Sequence, residues 1–166
     1  MGDDPWFDAY DQTRQRIGAL LREPGVDVEA AVVACPGWSL RDVAAHLVGL
    51  VHDVIDENTD SYASGEWTAA QLARFDGVPV PTLLDDWASL VERLRVAPLP
   101  PIGKWFRSVG RLVFADASVH EHDLRGALSR PAPDNDAVGW GVRLSAEVFG
   151  SLLRRPQQVG SAPAVR

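Results

Sequence analysis

The feature that most constrains the fold is a helical periodicity of apolar side chains over residues 40–58. These side chains recur at steps of three and four residues, which places them on one face of an α-helix and predicts that this face is buried. They are Val43, Leu47, Leu50, Val51 and Val54. Ser39 is a good N-cap for this helix, and Asp42 three residues later completes a capping-box pattern. The chain must therefore fold around at least one amphipathic helix.

The same periodicity, in weaker form, predicts further helices along the chain. They cover residues 6–22, 82–96 and 138–154, and a segment that begins between Trp105 and Phe114 and ends at Leu128. Thr82 is the expected N-cap of its helix. A short helix is expected over residues 68–75, within a longer connection. The prolines between residues 98 and 101 must interrupt the helical structure, because they remove backbone donors and restrict the residues before them.

The order of these elements favours an all-α fold. No segment has strand-like alternation, a hairpin turn or an internal repeat. Helices joined by one or two long connections are typical of a four-helix bundle with a long crossover connection. A chain of 166 residues is long enough for one domain with a full core. We therefore predict one helical domain over residues 1–155 and a flexible tail over residues 156–166.

Composition and charge argue against several classes of function. The net charge is −7, and no cluster of Lys or Arg interleaves with aromatic residues, so nucleic acid is not expected as a partner. No apolar run has the length of a signal peptide or a membrane span, so we expect a cytoplasmic protein with no membrane partner. The basic residues are fifteen Arg and one Lys. This bias, in a chain rich in Ala, Gly, Pro and Val, is typical of a GC-rich genome.

The pattern of Cys, His and Asp residues allows one kind of metal site. A single cysteine, Cys35, excludes an internal disulfide and a cysteine-built metal site, so any metal needs His and carboxylate ligands. Asp116 and His120 are four residues apart, which on a helix separates their side chains by about 40°. His46 could add a third ligand across the bundle interior. Two imidazoles and one carboxylate form a common catalytic zinc site with one open position.

Spacing alone leaves simpler alternatives open for these residues. A carboxylate and a histidine one turn apart often form a solvated ion pair, and a lone histidine beside an apolar stripe is commonly only hydrogen-bonded. His122 lies about 200° around the helix from His120, so we expect it on the surface. His52 is off the His46 face and is expected to be partly exposed. Asp123 either accepts a hydrogen bond from a ligand imidazole or pairs with a nearby arginine.

The sequence allows more than one role for three further kinds of side chain. Arg125 could contact an anionic substrate, although a surface position is the simpler reading in so Arg-rich a chain. Cys35 is expected to be a buried structural thiol rather than a nucleophile. Some aromatic side chains could belong to the core or to a substrate pocket. They are Trp67, Trp105 and Phe106.

Two stretches, CPGWSLRDVAAHLVG at residues 35–49 and DASVHEHDLRGAL at residues 116–128, resemble a known family. They are similar to motifs of the N-terminal domain of the mycothiol-dependent maleylpyruvate isomerase family, within the DinB/YfiT-like superfamily of metal-binding bundles. The resemblance covers the chain from residue 1 to about residue 150. It implies a four-helix bundle that holds a divalent metal, usually zinc. The implied ligands are His46, Asp116 and His120, with Asp116 at a position where the family usually has Glu.

The resemblance also implies an activity. Members of the family use a small thiol as cosubstrate, and mycothiol belongs to GC-rich bacteria. We therefore expect a zinc-dependent isomerase or S-transferase that activates mycothiol for addition to an electrophilic substrate. The isomerases carry a second, C-terminal domain, and we expect this chain to hold the metal-binding domain without it. The alternatives are a non-catalytic bundle that binds a ligand or a protein, and a hydrolase that uses metal-bound water; a homodimer also stays open.

Overall fold

A computed structural model describes the fold over residues 5–58, 61, 64–96, 103–134, 138–139, 141–143 and 146. The described residues form five named helices and no strand, which confirms the predicted all-α class. The helices are α1 (Pro5–Leu21), α2 (Leu40–Ile55), α3 (Gly65–Arg74), α4 (Val80–Val96) and α5 (Gly103–Ala127). Within these ranges, no helix has the length and apolar character needed to cross a bilayer.

Helix α2 is the central packing element of the described chain. It contacts α3, α4 and α5, while α1 contacts α4 and α5. Because α2 is covered by three helices, its buried surface is wider than the single apolar stripe predicted from the sequence. Small residues outside that stripe, such as Ala44, Ala45 and Val48, are buried as well. The helix also buries two polar side chains, His46 and Asp53.

An aromatic cluster joins α1, α4 and α5. Trp87 is fully buried and donates its indole N–H to the hydroxyl of Tyr10 at 2.8 Å. The Tyr10 ring meets Phe114 edge to face, with ring centroids 6.4 Å apart. Burial raises the pKa of Tyr10 well above its usual value, so the hydroxyl stays protonated. Phe114 lies two residues before Asp116, so this cluster holds the part of α5 that carries the predicted site.

The connection between α1 and α2 folds back onto the start of α2. Val32 N–H donates to the Trp38 carbonyl at 2.9 Å, and Leu40 N–H donates to the Ala30 carbonyl at 3.0 Å. Gly37 supplies the positive φ of +87° that the turn before Trp38 requires. The predicted capping box is confirmed, with Ser39 as the N-cap of α2. These bonds position the turn that carries Cys35 and Trp38 beside α2.

The ends of α2 and α3 differ from the sequence prediction. Helix α2 ends at Ile55 rather than near residue 58, because Glu57 takes a left-handed conformation with φ of 58°. Helix α3 begins at Gly65, earlier than expected, because the Ser64 side chain accepts a hydrogen bond from the Trp67 N–H. Trp67 itself is buried, so it belongs to the core rather than to an open pocket.

The starts of α4 and α5 also require corrections. The prediction that Thr82 is an N-cap is wrong, because α4 begins at Val80 and Thr82 lies within its first turn. Proline is tolerated in that turn, where backbone N–H groups have no helical partner, and Pro81 occupies it. Helix α5 begins at Gly103, two residues before the earliest predicted start, directly after the proline segment.

The C-terminal predictions fall largely outside the described residues. Residues 138–139, 141–143 and 146 are helical, as predicted for 138–154. The other residues of the predicted range 138–154, the tail predicted over residues 156–166, and the side chains of Trp105 and Phe106 lie outside the described part of the chain.

Close packing of α2 against α3 makes Gly49 sensitive to substitution. A Cβ atom at position 49 would lie 2.7 Å from Cβ of Gln71 and 2.9 Å from its Cγ. We expect Gly49→Ala to lower the free energy of unfolding by about 1–2 kcal/mol, because overpacking exceeds the gain in helix propensity. Urea denaturation measures this change. Gly126→Ala on α5 is the control, because a Cβ there meets nothing within 4 Å, and equal stability of the two variants would contradict the prediction.

Candidate metal centre

The structure brings together the three residues that the sequence singled out. His46 projects from α2, and Asp116 and His120 project from one face of α5. His46 Nε2 lies 3.0 Å from Asp116 Oδ2, and His120 Nε2 lies 3.9 Å from Asp116 Oδ1. One ligand atom from each residue lies within 4.8 Å of the other two. The contact between α2 and α5 therefore brings His46 to two residues that lie 70 or more positions further along the chain.

Trp38 forms one wall of this cluster. Its ring meets His46 edge to face at 5.2 Å and stacks on His120 at 6.1 Å, with an angle of 25° between the planes. The side chain is half-buried, so one part of the indole faces solvent. Trp38 was not among the predicted site residues. Its place just before the N-cap of α2 put it near the first turns of that helix, but not against His120 on α5.

The second ring nitrogen of His120 contacts Asp123. His120 Nδ1 lies 2.9 Å from Asp123 Oδ2, so Asp123 is an acceptor for the imidazole. Burial acts to lower the pKa of His120, but the hydrogen bond to Asp123 and the charges of Asp116 and Asp123 outweigh it and raise that pKa. The same hydrogen bond lowers the pKa of Asp123. Of the two roles considered for Asp123, the structure supports the one beside the imidazole.

The second ring nitrogen of His46 contacts a buried series of hydrogen-bonded polar side chains that the sequence did not reveal. His46 Nδ1 lies 2.7 Å from Gln71 Oε1, and Gln71 Nε2 donates to Asp53 Oδ2 at 2.7 Å. Asp53 also accepts hydrogen bonds from Arg74 at 2.6 Å and from Asn58 at 3.1 Å. Gln71 and Asp53 are 0% and 1% exposed. Gln71 stood in the short helix expected over residues 68–75 within a longer connection, where a polar residue gives no signal of burial.

Cys35 lies beside the cluster rather than in the core. The thiol is half-buried, and its Sγ lies 3.6 Å from Asp123 Oδ2 and 3.8 Å from His120 Nδ1. Burial, together with the negative charge of Asp123, raises the pKa of this thiol to about 11. Cys35 is therefore protonated near neutral pH and poorly nucleophilic. Cys35, His120 and Asp123 are also close enough to hold an ion, but this group uses the same His120 ring as the first cluster.

The remaining candidates lie away from the cluster. His52 Nε2 lies 2.8 Å from Asp86 Oδ2 and is partly exposed, as expected. His122 is exposed, also as expected. Arg125 donates to the buried carboxylate of Glu121 at 3.0 Å, so this guanidinium is engaged inside the protein. These three side chains are therefore not part of the candidate metal centre.

Comparison with known proteins gives no match. No family model matches the chain, and no curated protein or solved structure matches it significantly. The resemblance to the mycothiol-dependent isomerase family therefore stays a prediction from the two sequence stretches.

Asp123 should control the charge of His120 in the metal-free protein. Because Asp123 raises the pKa of His120, Asp123→Asn should lower it, which proton NMR titration of the imidazole measures. The interaction stabilises the fold fully below the unfolded-state histidine pKa of about 6.5 and is lost as pH rises through the raised folded-state pKa. Asp86→Asn, next to His52, is the matched control. An unchanged His120 titration in Asp123→Asn would contradict the assignment.

Proposed function

We propose that the chain binds one divalent metal ion, zinc, through His46 Nε2, an oxygen of Asp116 and His120 Nε2. We further propose that this centre activates the thiol of mycothiol for addition to an electrophilic substrate. The observation that carries the proposal is the convergence of two imidazoles and one carboxylate from two packed helices. Three protein ligands of these types leave a fourth position open for a substrate group.

The distances from Asp116 to the two imidazoles are close to those expected in a zinc site. With bonds of about 2.0–2.2 Å, neighbouring ligand atoms in a tetrahedral zinc site lie about 3.3–3.6 Å apart. The separations of 3.0 Å from His46 and 3.9 Å from His120 lie on either side of that range and end on different oxygens of Asp116, so the carboxylate would have to turn to present one oxygen to both imidazoles. The hydrogen bond from His120 Nδ1 to Asp123 leaves Nε2 as the ligand atom, as in many metal-bound histidines. Asp116 also reaches His46 directly, so the side chain shorter than Glu is long enough here.

We also propose that α1, α2, α4 and α5 form a four-helix bundle with a crossover. Contacts between α1 and α5, α5 and α2, α2 and α4, and α4 and α1 support a closed ring of four helices. In such a ring α1 and α2 lie diagonally opposite each other. The connection over residues 22–39 is then the long crossover. Metal sites in helical bundles are built from side chains on facing helices, as His46, Asp116 and His120 are placed here.

Residues of the chain would have separate roles around the reacting thiol. A bound zinc would lower the pKa of a thiol that reaches its open position and thereby supply a thiolate nucleophile at neutral pH. Trp38 contacts both imidazoles and would limit the approach of water on that side. Asp123 holds the ring of His120 through Nδ1. Cys35, with its pKa of about 11, remains a protonated donor to Asp123 and does not compete with the cosubstrate as a nucleophile.

Metal content tests the ligands directly. Protein purified without added metal should contain about one divalent ion per chain by elemental analysis. His46→Ala and His120→Ala should each lose most of it, because two remaining protein ligands hold an ion weakly. Asp116→Glu should retain the metal, and His52→Ala is the control because His52 pairs with Asp86 away from the centre. Full metal content in both ligand variants would show that the ligands are assigned wrongly.

Thiol activation is tested by proton release. Mycothiol titrated into zinc-loaded protein should release a proton near neutral pH, since the cation stabilises the thiolate over the thiol. Calorimetry in buffers of different ionisation enthalpy measures that proton. A desulfurised analogue and the His46→Ala variant should show no release. Equal binding of mycothiol and its analogue, or no binding of either, would reject thiol activation and favour the non-catalytic bundle.

A further inference from the structure

The series of hydrogen-bonded side chains next to His46 ends at Asp53, a carboxylate that can only accept hydrogen bonds. Asp53 is paired with the guanidinium of Arg74 at 2.6 Å, so it is an ionised carboxylate without a hydrogen to donate. Its other oxygen faces Gln71 at 2.7 Å. Because Asp53 is 1% exposed, water does not compete for this oxygen. The group of Gln71 that faces Asp53 must therefore be the amide NH₂.

This requirement fixes the orientation of the Gln71 amide. With its NH₂ on Asp53, the amide places its oxygen against His46 Nδ1 at 2.7 Å. The reversed amide would bring two oxygen acceptors together on the Asp53 side, inside a site that is 0% exposed at Gln71. Buried acceptors without donors are strongly unfavourable. The oxygen of Gln71 therefore needs a hydrogen on His46 Nδ1.

Asp116 competes for the same hydrogen from the other side of the ring. His46 Nε2 lies 3.0 Å from Asp116 Oδ2, which would favour a hydrogen on Nε2 instead. A neutral imidazole has one ring hydrogen and cannot serve both acceptors. The Asp116 side chain is 33% exposed, so water can donate to it, whereas Gln71 and Asp53 have no such substitute. The buried acceptor therefore determines where the hydrogen lies.

We infer that Gln71, oriented by Asp53, is a positioning residue that keeps the hydrogen of His46 on Nδ1. The lone pair of Nε2 is then directed at Asp116, where the proposed function places the metal. In this respect the inference rests on the proposed function, although the ring tautomer is a property of the metal-free chain too. Helix α3 thereby becomes part of the metal centre without supplying a ligand. The absence of a side chain at Gly49 is what lets Gln71 approach this closely.

The tautomer can be measured without any metal. Long-range ¹H–¹⁵N correlation spectra of the metal-free protein in alkaline buffer, where imidazoles are neutral, distinguish hydrogen on Nδ1 from hydrogen on Nε2. We expect the Nδ1–H form of His46 in the wild type. Gln71→Met removes the acceptor at similar length, and Asp53→Asn allows the amide to reverse, so both should shift the ring toward Nε2–H. A wild-type Nε2–H form, or variants that keep Nδ1–H, would overturn the inference.

Zinc affinity provides a second measurement with a matched control. Gln71→Met and Asp53→Asn should raise the dissociation constant for zinc roughly ten- to hundred-fold. Val91→Ala truncates a buried side chain of α4, a helix that contributes no side chain to the centre, and should keep wild-type affinity. Unchanged zinc affinity in Gln71→Met and Asp53→Asn would overturn the positioning role. An equal loss of affinity in these two variants and in Val91→Ala would overturn it as well. If the wild type binds no zinc, the proposed function fails, while the tautomer spectra still decide the role of Gln71.

Discussion

The buried carboxylate of Asp53 is the constraint on which the surroundings of α2 depend. A buried charge is tolerated only when it is paired and hydrogen-bonded. Arg74, Asn58 and Gln71 meet that requirement, and two of them lie on α3. Helix α3 is therefore docked by the charge of Asp53 as well as by apolar contact. His46 lies two turns before Asp53 on the same face of α2, so the same docking contact reaches the candidate metal centre.

A second support acts on the other side of the centre. The positions of Asp116 and His120 depend on the position of α5. Helix α5 is held in place by the contact of Phe114 with Tyr10, and Tyr10 is in turn fixed by its hydrogen bond from Trp87. A site built on two helices, each fixed by buried contacts next to the ligand, is more precise than one built on loops. The candidate centre thus lies between the hydrogen-bonded Asp53 on α2 and the aromatic contact of Phe114 on α5.

Sequence reasoning succeeded where local periodicity decides the structure. The 3.6-residue period and the cap at Ser39 were enough to place α2, and the i, i+4 spacing was enough to place Asp116 and His120 on one face. Reasoning from spacing could not find Gln71, Trp38 or the contact of Cys35 with Asp123, because each depends on how a loop or a short helix packs against a distant element. The N-cap at Thr82 was predicted wrongly because a proline next to it can also lie inside the first turn of a helix.

The stacking of Trp38 on His120 has a consequence for spectroscopy. An indole face within 6.1 Å of an imidazole senses the charge of that ring, since a cation interacts with the π-electrons of tryptophan. Trp38 is one of six tryptophans, yet among those with described side chains it is the one whose ring contacts both candidate ligand imidazoles. Its emission is therefore expected to respond to the protonation of these imidazoles. The difference spectrum between the wild type and a Trp38→Phe protein isolates that signal without an added dye.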